Sequence, residues 1–445
     1  MKTWNFAKVM FWVSSFSMAV ALGIGIGHYK VFPFSLLKLG QDSLEQVFAE
    51  KEMLTKVRPV SHLYAIRYPG NGLTRNRADQ VAPGLTFMSG FFGDNPALQL
   101  VKPDGSVVRR WSPSFSKIFP DTSHIKPAKE IPATDWNVEV HGALALPDGS
   151  IVFNFNYLGM VKMDRCGAVQ WTVPLMTHHS LERSADGGFW TTGRYYVEGN
   201  SSFPPIPTPY MEDTVVKISG NGKVLQEISL PAMLFNEEML RAEWLANGHD
   251  NVRIFNDWGD GILELAHVND VEELTSDMAK NFPAFATGDL LVSHRNQNVI
   301  YVVDPKAGRI KWHQTGPWIR QHDPDFNRDG TLVVLNNNTD TTDDGSVWGG
   351  SNIVALTPST RSWLFKYGGK PNQKMYSRGL GKVQVLENGN ILITESTAGR
   401  VFEVNSEQEI VWEFVNKYDD KAAAVITQGI RYPEEYFNVT DWTCN

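Results

Sequence analysis

The amino-acid sequence predicts an all-β chain: a six-bladed β-propeller behind one N-terminal transmembrane helix or signal segment. Three observations carry this expectation. Short β-branched and aromatic runs are separated by Asp-Gly, Asn-Gly and Gly-Gly turns; one strand pattern recurs six times; and Val9 to Gly27 contains no charged side chain.

The uncharged run decides the compartment. At about 1.5 Å rise per residue it nearly spans a hydrocarbon core of roughly 30 Å, and Lys2 and Lys8 precede it. It reads as a signal anchor with its amino end in the cytoplasm. Ala19-Val20-Ala21 also has the small-x-small form of a signal-peptidase site. Either reading exports the rest of the chain, so the expected location is the cell membrane, with the propeller on the extracytoplasmic side. Residues 1–30 are assigned to this segment, 31–84 to a stalk or lid with a helical spacing near Asp42 to Lys56, and 85–445 to the propeller.

In the repeat, an apolar run is followed by a turn such as Pro147-Asp148-Gly149, a strand, and a second strand ending in Asp-x-x-Gly-x-(Ile/Val)-x-Trp. Its copies are Lys102 to Trp111, Ala145 to Trp171, Ser184 to Leu230, Gly288 to Trp312, Arg328 to Phe365 and Glu387 to Trp412. A sandwich has no such repeated four-strand unit, whereas a propeller blade does. Seven or eight blades also fit, because the insertions Pro231 to Trp258 and Thr275 to Phe285 blur the count. Both insertions look partly helical and are expected above one rim.

The 445 residues, 42% hydrophobic and 20% charged, provide for a large folded core and exclude a disordered chain. A net charge of −8 without a basic cluster excludes nucleic acid as a partner. Cys166 and Cys444 form no CxxC motif of the zinc or redox kind.

Aligning the copies on their Asp-Gly turns brings histidines into register. His141 lies seven residues before Asp148, His179 seven before Asp186 and His322 seven before Asp329. The strand entering that turn is expected to be innermost, so these imidazoles point toward one axis. His267, in His267-Val268-Asn269-Asp270, begins the corresponding strand of another blade. His28, His62, His124, His249, His294 and His313 lack the register and are read as structural. Such a ring suits a metal held through neutral nitrogens, or nucleophilic and electrostatic catalysis on an anionic group. Against metal, no His-x-His or His-x-x-x-His pair chelates locally and no carboxylate shares the register.

With these segments in view the chain resembles the bacterial arylsulfotransferase family of six-bladed propellers over roughly residues 130–437. The resemblance is carried by His178-His179-Ser180, His267-Val268-Asn269-Asp270-Val271-Glu272, Leu290 to Asn298 running on to Asp304-Pro305-Lys306-Ala307-Gly308, Gln321-His322-Asp323, and Ala398 to Val404 closing in Val411-Trp412-Glu413. It implies transfer of a sulfuryl group from an aryl sulfate ester to a phenol in the periplasm. The family does this through a sulfated histidine and without the adenylated sulfate donor or another cofactor. Matching motifs make His322 the nucleophile and Arg295 the group neutralising sulfuryl oxygens. His267 and one of His178 and His179 complete the clamp, the register preferring His179. His141 and Asn269 are assigned to substrate binding. Phe155, Tyr157, Trp258 and Trp318 are expected near the rim as aromatic walls, and the insertion beside His267 as a feature that reshapes the pocket.

Some members close a short loop with a disulfide; here a Cys166–Cys444 bond would instead staple the chain's end to an early blade. A non-catalytic exported propeller binding protein or glycan, and a metal- or quinone-dependent oxidoreductase, remain the competing classes. Asp340 to Asp344 misses the EF-hand spacing and reads as a solvated loop.

Overall fold

The structure, a computed structural model, describes residues 6–29, 44, 47–49, 51–200, 203, 208–235, 262–264, 266–340 and 342–444. The chain divides into two compact units, Met1–Ser61 and His62–Asn445. In the first, Phe6–Tyr29 is a continuous α-helix of 24 residues with its apolar side chains exposed along its length. It is long and apolar enough to cross a membrane, a property that signal segments share.

The second unit is a six-bladed propeller, each blade an antiparallel sheet of four strands with additions at two edges. The innermost strands are Val140–Ala145, Met176–Arg183, Val268–Glu273, His322–Phe326, Lys382–Val385 and Ile426–Tyr432, and each touches the next around a closed ring. The last of these pairs with Leu85–Phe92, so the final strand is the inner strand of the first blade. Conversely Gly72–Asn76 joins the outer edge of the last blade against Ile410–Val415. The two ends thus lock the ring twice. The stalk expected over 31–84 is shorter than the sequence suggested, because Leu63–Ala65 and Gly72–Asn76 are already strands of the propeller unit.

The recurring motif has a physical explanation at both ends. In its turns the acidic or amide side chain accepts the backbone N–H two residues on, as Asp148 does from Ser150 at 3.0 Å and Asp329 from Thr331 at 3.0 Å. The glycine between, such as Gly149 at φ +79°, supplies the left-handed conformation the turn needs. At the other end, the repeated tryptophan fastens one blade to the next. Trp111 Nε1–H donates to Arg165 O (3.0 Å), Trp171 to Gly220 O (3.2 Å) and Trp412 to Pro103 O (2.9 Å), each acceptor lying in the turn before the outer strand of the following blade. Between blades the gaps are filled by side chains such as Phe87, Phe153, Phe155 and Phe189, each contributing about 1.5–3 kcal/mol by burial.

Two aromatic expectations fail here. Phe155 is fully buried in this inter-blade core, and Trp318 is buried with its indole N–H on Asn298 O at 2.8 Å. Neither can wall a substrate pocket. Trp258 and most of the Pro231 to Trp258 insertion lie outside the described residues. The Thr275 to Phe285 insertion follows the strand Val268–Glu273 at the end remote from His267, and its Phe282 and Phe285 pack on Phe326 and Trp312. It therefore does not shape the histidine pocket. Asp340 is a loop organiser, accepting from the backbone of Thr342, Val347 and Trp348.

Cys166 and Cys444 form a disulfide. It ties the tail, whose Trp442 packs on Trp111 and Phe437, to the turn Asp164–Gly167 of the second blade. Closing so long a loop restricts the unfolded chain strongly. Cys166→Ser is expected to lower stability by about 2–5 kcal/mol, read as a lower urea midpoint. An unchanged midpoint would mean that tail packing alone holds the terminus.

Candidate active site

The inner strands of the second to fifth blades are each broken by a β-bulge: around Gly142, His179-Ser180, Asn269 and Asp323-Pro324. At or beside these bulges the backbone turns left-handed, at Gly142 (φ +56°), His179 (φ +47°), His267 (φ +51°) and Asp323 (φ +52°). Non-glycine residues adopt this region at a cost of the order of 1–3 kcal/mol, and bulges commonly re-aim side chains at functional sites. Here they turn imidazoles from four blades into the axial shaft. His141 and His179 lie 4.7 Å apart between ring centres, His179 and His267 4.7 Å, and His179 and His322 6.4 Å. All four line or adjoin a narrow shaft with Asn269, which donates to Gln321 O at 2.7 Å.

Hydrogen bonding assigns the tautomers. Asn337 donates its amide N–H groups to Ser377 O (2.9 Å) and Leu380 O (2.7 Å). Its Oδ1 is thereby aimed at His322 Nδ1, 2.6 Å away, so Nδ1 carries the proton and Nε2 the lone pair. Leu380 N–H, donating to Nε2 at 3.2 Å, agrees. A second set runs one way: His178 Nδ1–H to His179 Nδ1 (2.9 Å), His179 Nε2–H to His267 Nε2 (3.2 Å), and His267 Nδ1–H to the Glu264 carboxylate (2.9 Å). Asp213 fixes the left-handed turn at His267 by accepting its N–H at 3.1 Å.

All these rings are held neutral. Burial, and then the charge of Arg295, pull His322 well below the ordinary histidine range and His267 down to about 4, the latter against the opposing pull of Glu264. Burial likewise lowers His178, with Arg194 second, and His179, with His141 second. Asp213 is pushed up to about 8 by burial and by the neighbouring Glu264, which His267 and the arginines hold ionised. Arg295 donates its backbone N–H to His267 O (3.2 Å), and its guanidinium Nε has no partner among the described residues.

The sequence-selected residues therefore divide. His141, His179, His267 and His322 converge, with Arg295 adjoining; His178 lies one step behind, fully buried, its Nε2 3.9 Å from Asp213. Of the expected aromatics among the described residues, Tyr157 is the one at the site. It is held at φ +64° with its ring 4.7 Å from His178 and the Arg194 guanidinium 3.5 Å over its face. Glu264, Asp213, Arg194 and Asn337 were not anticipated. Asn337 and Arg194 sit on or beside second strands opposite the histidines, so strand pairing was the signal that would have found them. Carboxylates do enter the shaft from outside that register: Asp270 and Asp323 line it together with the histidines. Among the histidines read as structural, His294 is buried against Tyr301 and His62 is stacked on Phe91.

Fold and site together define a propeller whose shaft is lined by imidazoles, with the Arg295 guanidinium close enough to act on His322 and His267. Such a site can hold a tetrahedral anion and present a nucleophilic lone pair to it. The sequence matches the family Arylsulfotransferase (ASST) over residues 142–417. The chain belongs to this family, whose members are sulfuryl transferases. No curated protein matches it significantly. Among solved structures it is similar to a protein of unknown function from Bacteroides caccae, at 13% identity and TM-score 0.49 over 78% of this chain and 98% of that one. It is also similar to virginiamycin B lyase from Staphylococcus aureus, at 12% identity and TM-score 0.39 over 77% and 88%. A third is BamB from Moraxella catarrhalis, at 13% identity and TM-score 0.31 over 79% and 76%.

The lowered histidines set a pH dependence. Free histidine titrates near 6.5 and His267 in the fold at about 4, so between those values the unfolded chain binds protons that the folded chain does not. Stability contributed there is lost as pH falls from about 6.5 toward 4. Asp213 acts with the opposite sign, its contribution being lost as pH rises through about 8. In urea unfolding between pH 7 and 4.5, His267→Asn is expected to lose less stability than the parent chain, by up to about 3 kcal/mol. Parallel losses in both would show that His267 is not among the groups responsible.

Proposed function

We propose that this chain transfers a sulfuryl group from an aryl sulfate to a phenolic acceptor through a sulfated His322, in a ping-pong cycle without an adenylated donor. The observation that carries this reading is the tautomer of His322. Asn337 clamps Nδ1–H, leaving Nε2 as the nucleophilic atom on the shaft, met among the described residues by the long Leu380 N–H contact. Nε2 attacks sulfur; the Nε2–S bond forms as the S–O(aryl) bond breaks, and the phenolate departs. Arg295 and His141 hold the sulfuryl oxygens, while His179, its N–H committed to His267, lines the same shaft with Asn269.

In the second half-reaction the acceptor phenol gives its proton to His267 Nε2, displacing the 3.2 Å bond from His179 there, as its oxygen takes the sulfuryl group and the Nε2–S bond of His322 breaks. Glu264, 2.9 Å from His267, offsets the positive charge until the next departing phenolate takes that proton. His178 orders this chain by donating to His179, and Tyr157 with Arg194 forms the adjoining wall. We place the propeller outside the cytoplasm, anchored by the helix Phe6–Tyr29. An apolar exposed helix and a disulfide, which persists in oxidising compartments, both support that placement.

His322→Ala is expected to abolish both turnover of a chromogenic aryl sulfate with a phenol acceptor and the mass increment of a trapped sulfated enzyme. Undiminished sulfation would remove His322 from the mechanism. Arg295→Ala is expected to lower kcat by about 10²–10³-fold while the histidine is still sulfated slowly. Because His322 and His267 are held neutral well below the usual histidine range, the acid limb of kcat/KM is expected below pH 6.5.

A further inference from the structure

On the far side of the histidines the shaft is acidic. Glu182 from the third blade, Asp270 and Glu272 from the fourth, and Asp323 and Asp325 from the fifth point into one space, and the ammonium of Lys382 is the cation among them. Some of these groups are committed. Lys382 bonds Asp323 and, at 3.1 Å, Glu182. The second oxygen of Asp323 accepts Val383 N–H at 2.6 Å, and Glu272 accepts Phe326 N–H at 2.5 Å. Asp270, 2% exposed, has an Oδ2 with no partner among the described residues. Asn269, which adjoins it, lines the same cavity with its buried Oδ1 also unpartnered.

Lys382 is one ammonium among five carboxyl groups, and burial pushes Asp270, Glu272 and Asp325 well up, so protons or a further cation must offset the charge gathered here. Oxygens of Asp270, Asp323 and Asp325 lie within 4.8 Å of one another. Three carboxylates that close together offer the hard oxygen donors both calcium and magnesium take; calcium accepts an irregular set supplied by the protein, whereas magnesium demands near-ideal octahedral geometry and keeps several of its waters. The site is also reachable. Glu272 and Asp325 line a groove of about 930 Å³ between the fifth and sixth blades, on the face opposite the histidines.

We propose that Asp270, Asp323 and Asp325 bind one calcium-sized divalent cation on the propeller axis. The ion ties the inner strands of the fourth and fifth blades together and offsets the shaft's negative charge. It takes no part in sulfuryl transfer and does not depend on that reading.

The test uses the full chain, purified without chelator and dialysed into metal-free buffer. Calcium chloride, and separately magnesium chloride, is then added, with Tm and retained metal as readouts. About one calcium per chain and a rise of several degrees in Tm, reversed by a calcium chelator, are expected. Asp325→Asn, at the groove edge, and Asp270→Asn are expected to lose both effects. Each should also raise the metal-free Tm above that of the metal-free parent, since each removes one repelling charge. Asp344→Asn, in an exposed loop, should change nothing. The proposal is overturned if calcium neither stays with nor stabilises the parent chain. It also fails if magnesium does so in calcium's place, or if the two shaft variants retain calcium as the parent does. The parent titration decides the matter even if a variant fails to fold.

Discussion

Ring closure is the constraint on which everything else rests. Six twisted sheets bring their first strands to one axis only if the circle shuts. Here the strand Ile426–Tyr432 shuts it by pairing with Leu85–Phe92, while Gly72–Asn76 reinforces the sixth blade from outside. Once closed, side chains separated by nearly 200 residues, such as His141 and His322, face a common shaft. The tryptophan links between successive blades act in the same direction, because each spans a seam that would otherwise open outward.

Closure also concentrates polar groups where water is scarce, and the shaft separates them into two levels. On one, burial holds His178, His179, His267 and His322 below the ordinary histidine range, with the arginine charges adding to it at His178, His267 and His322, so a nitrogen lone pair is available. On the other, carboxylates gather around Lys382. Asp323 belongs to both, following His322 in sequence while bonding Lys382 on the acidic side. Gln321, on the other flank of His322, donates to Ser293, His294 and Val299 and bolts the fifth blade to the fourth. The motif Gln321-His322-Asp323 therefore combines a seam bond, an imidazole and a link to the acid cluster in three consecutive residues.

The fold was legible because turn chemistry repeats: each Asp-Gly or Asn-Gly turn marks the same point in a blade, and counting back from it finds the inner strand. Counting has a blind spot where a bulge adds residues. His178 and His179 occupy one bulged step, and only the left-handed backbone at His179 decides which ring enters the shaft. The acids were visible as Asp270-x-Glu272 and Asp323-x-Asp325, spaced at the period of two that puts side chains on one face of a strand. They were missed because only the position seven before the turn was compared. Asn337 and Arg194 come from second strands or the loops beside them, so reading them required pairing across the blade. Phe155 and Trp318 were misplaced because nearness in sequence to a site residue does not fix the face a side chain takes.

The bulges of neighbouring blades are not independent. A Cβ at Gly142 would lie 2.0 Å from His179 O, so the backbone beside His141 fits against the backbone of His179 with no room for a side chain. His179 in turn meets His267 through their Nε2 atoms, and His267 is held to Asp213 and Glu264. A shift at any one bulge must therefore displace the next along the ring. The left-handed residues are tolerated because this mutual contact, bonded at each step, leaves no relaxed alternative for one strand alone. That rigidity suits the clamp proposed above: side chains drawn from different blades are already in position before any ligand arrives, with little reorganisation left to make.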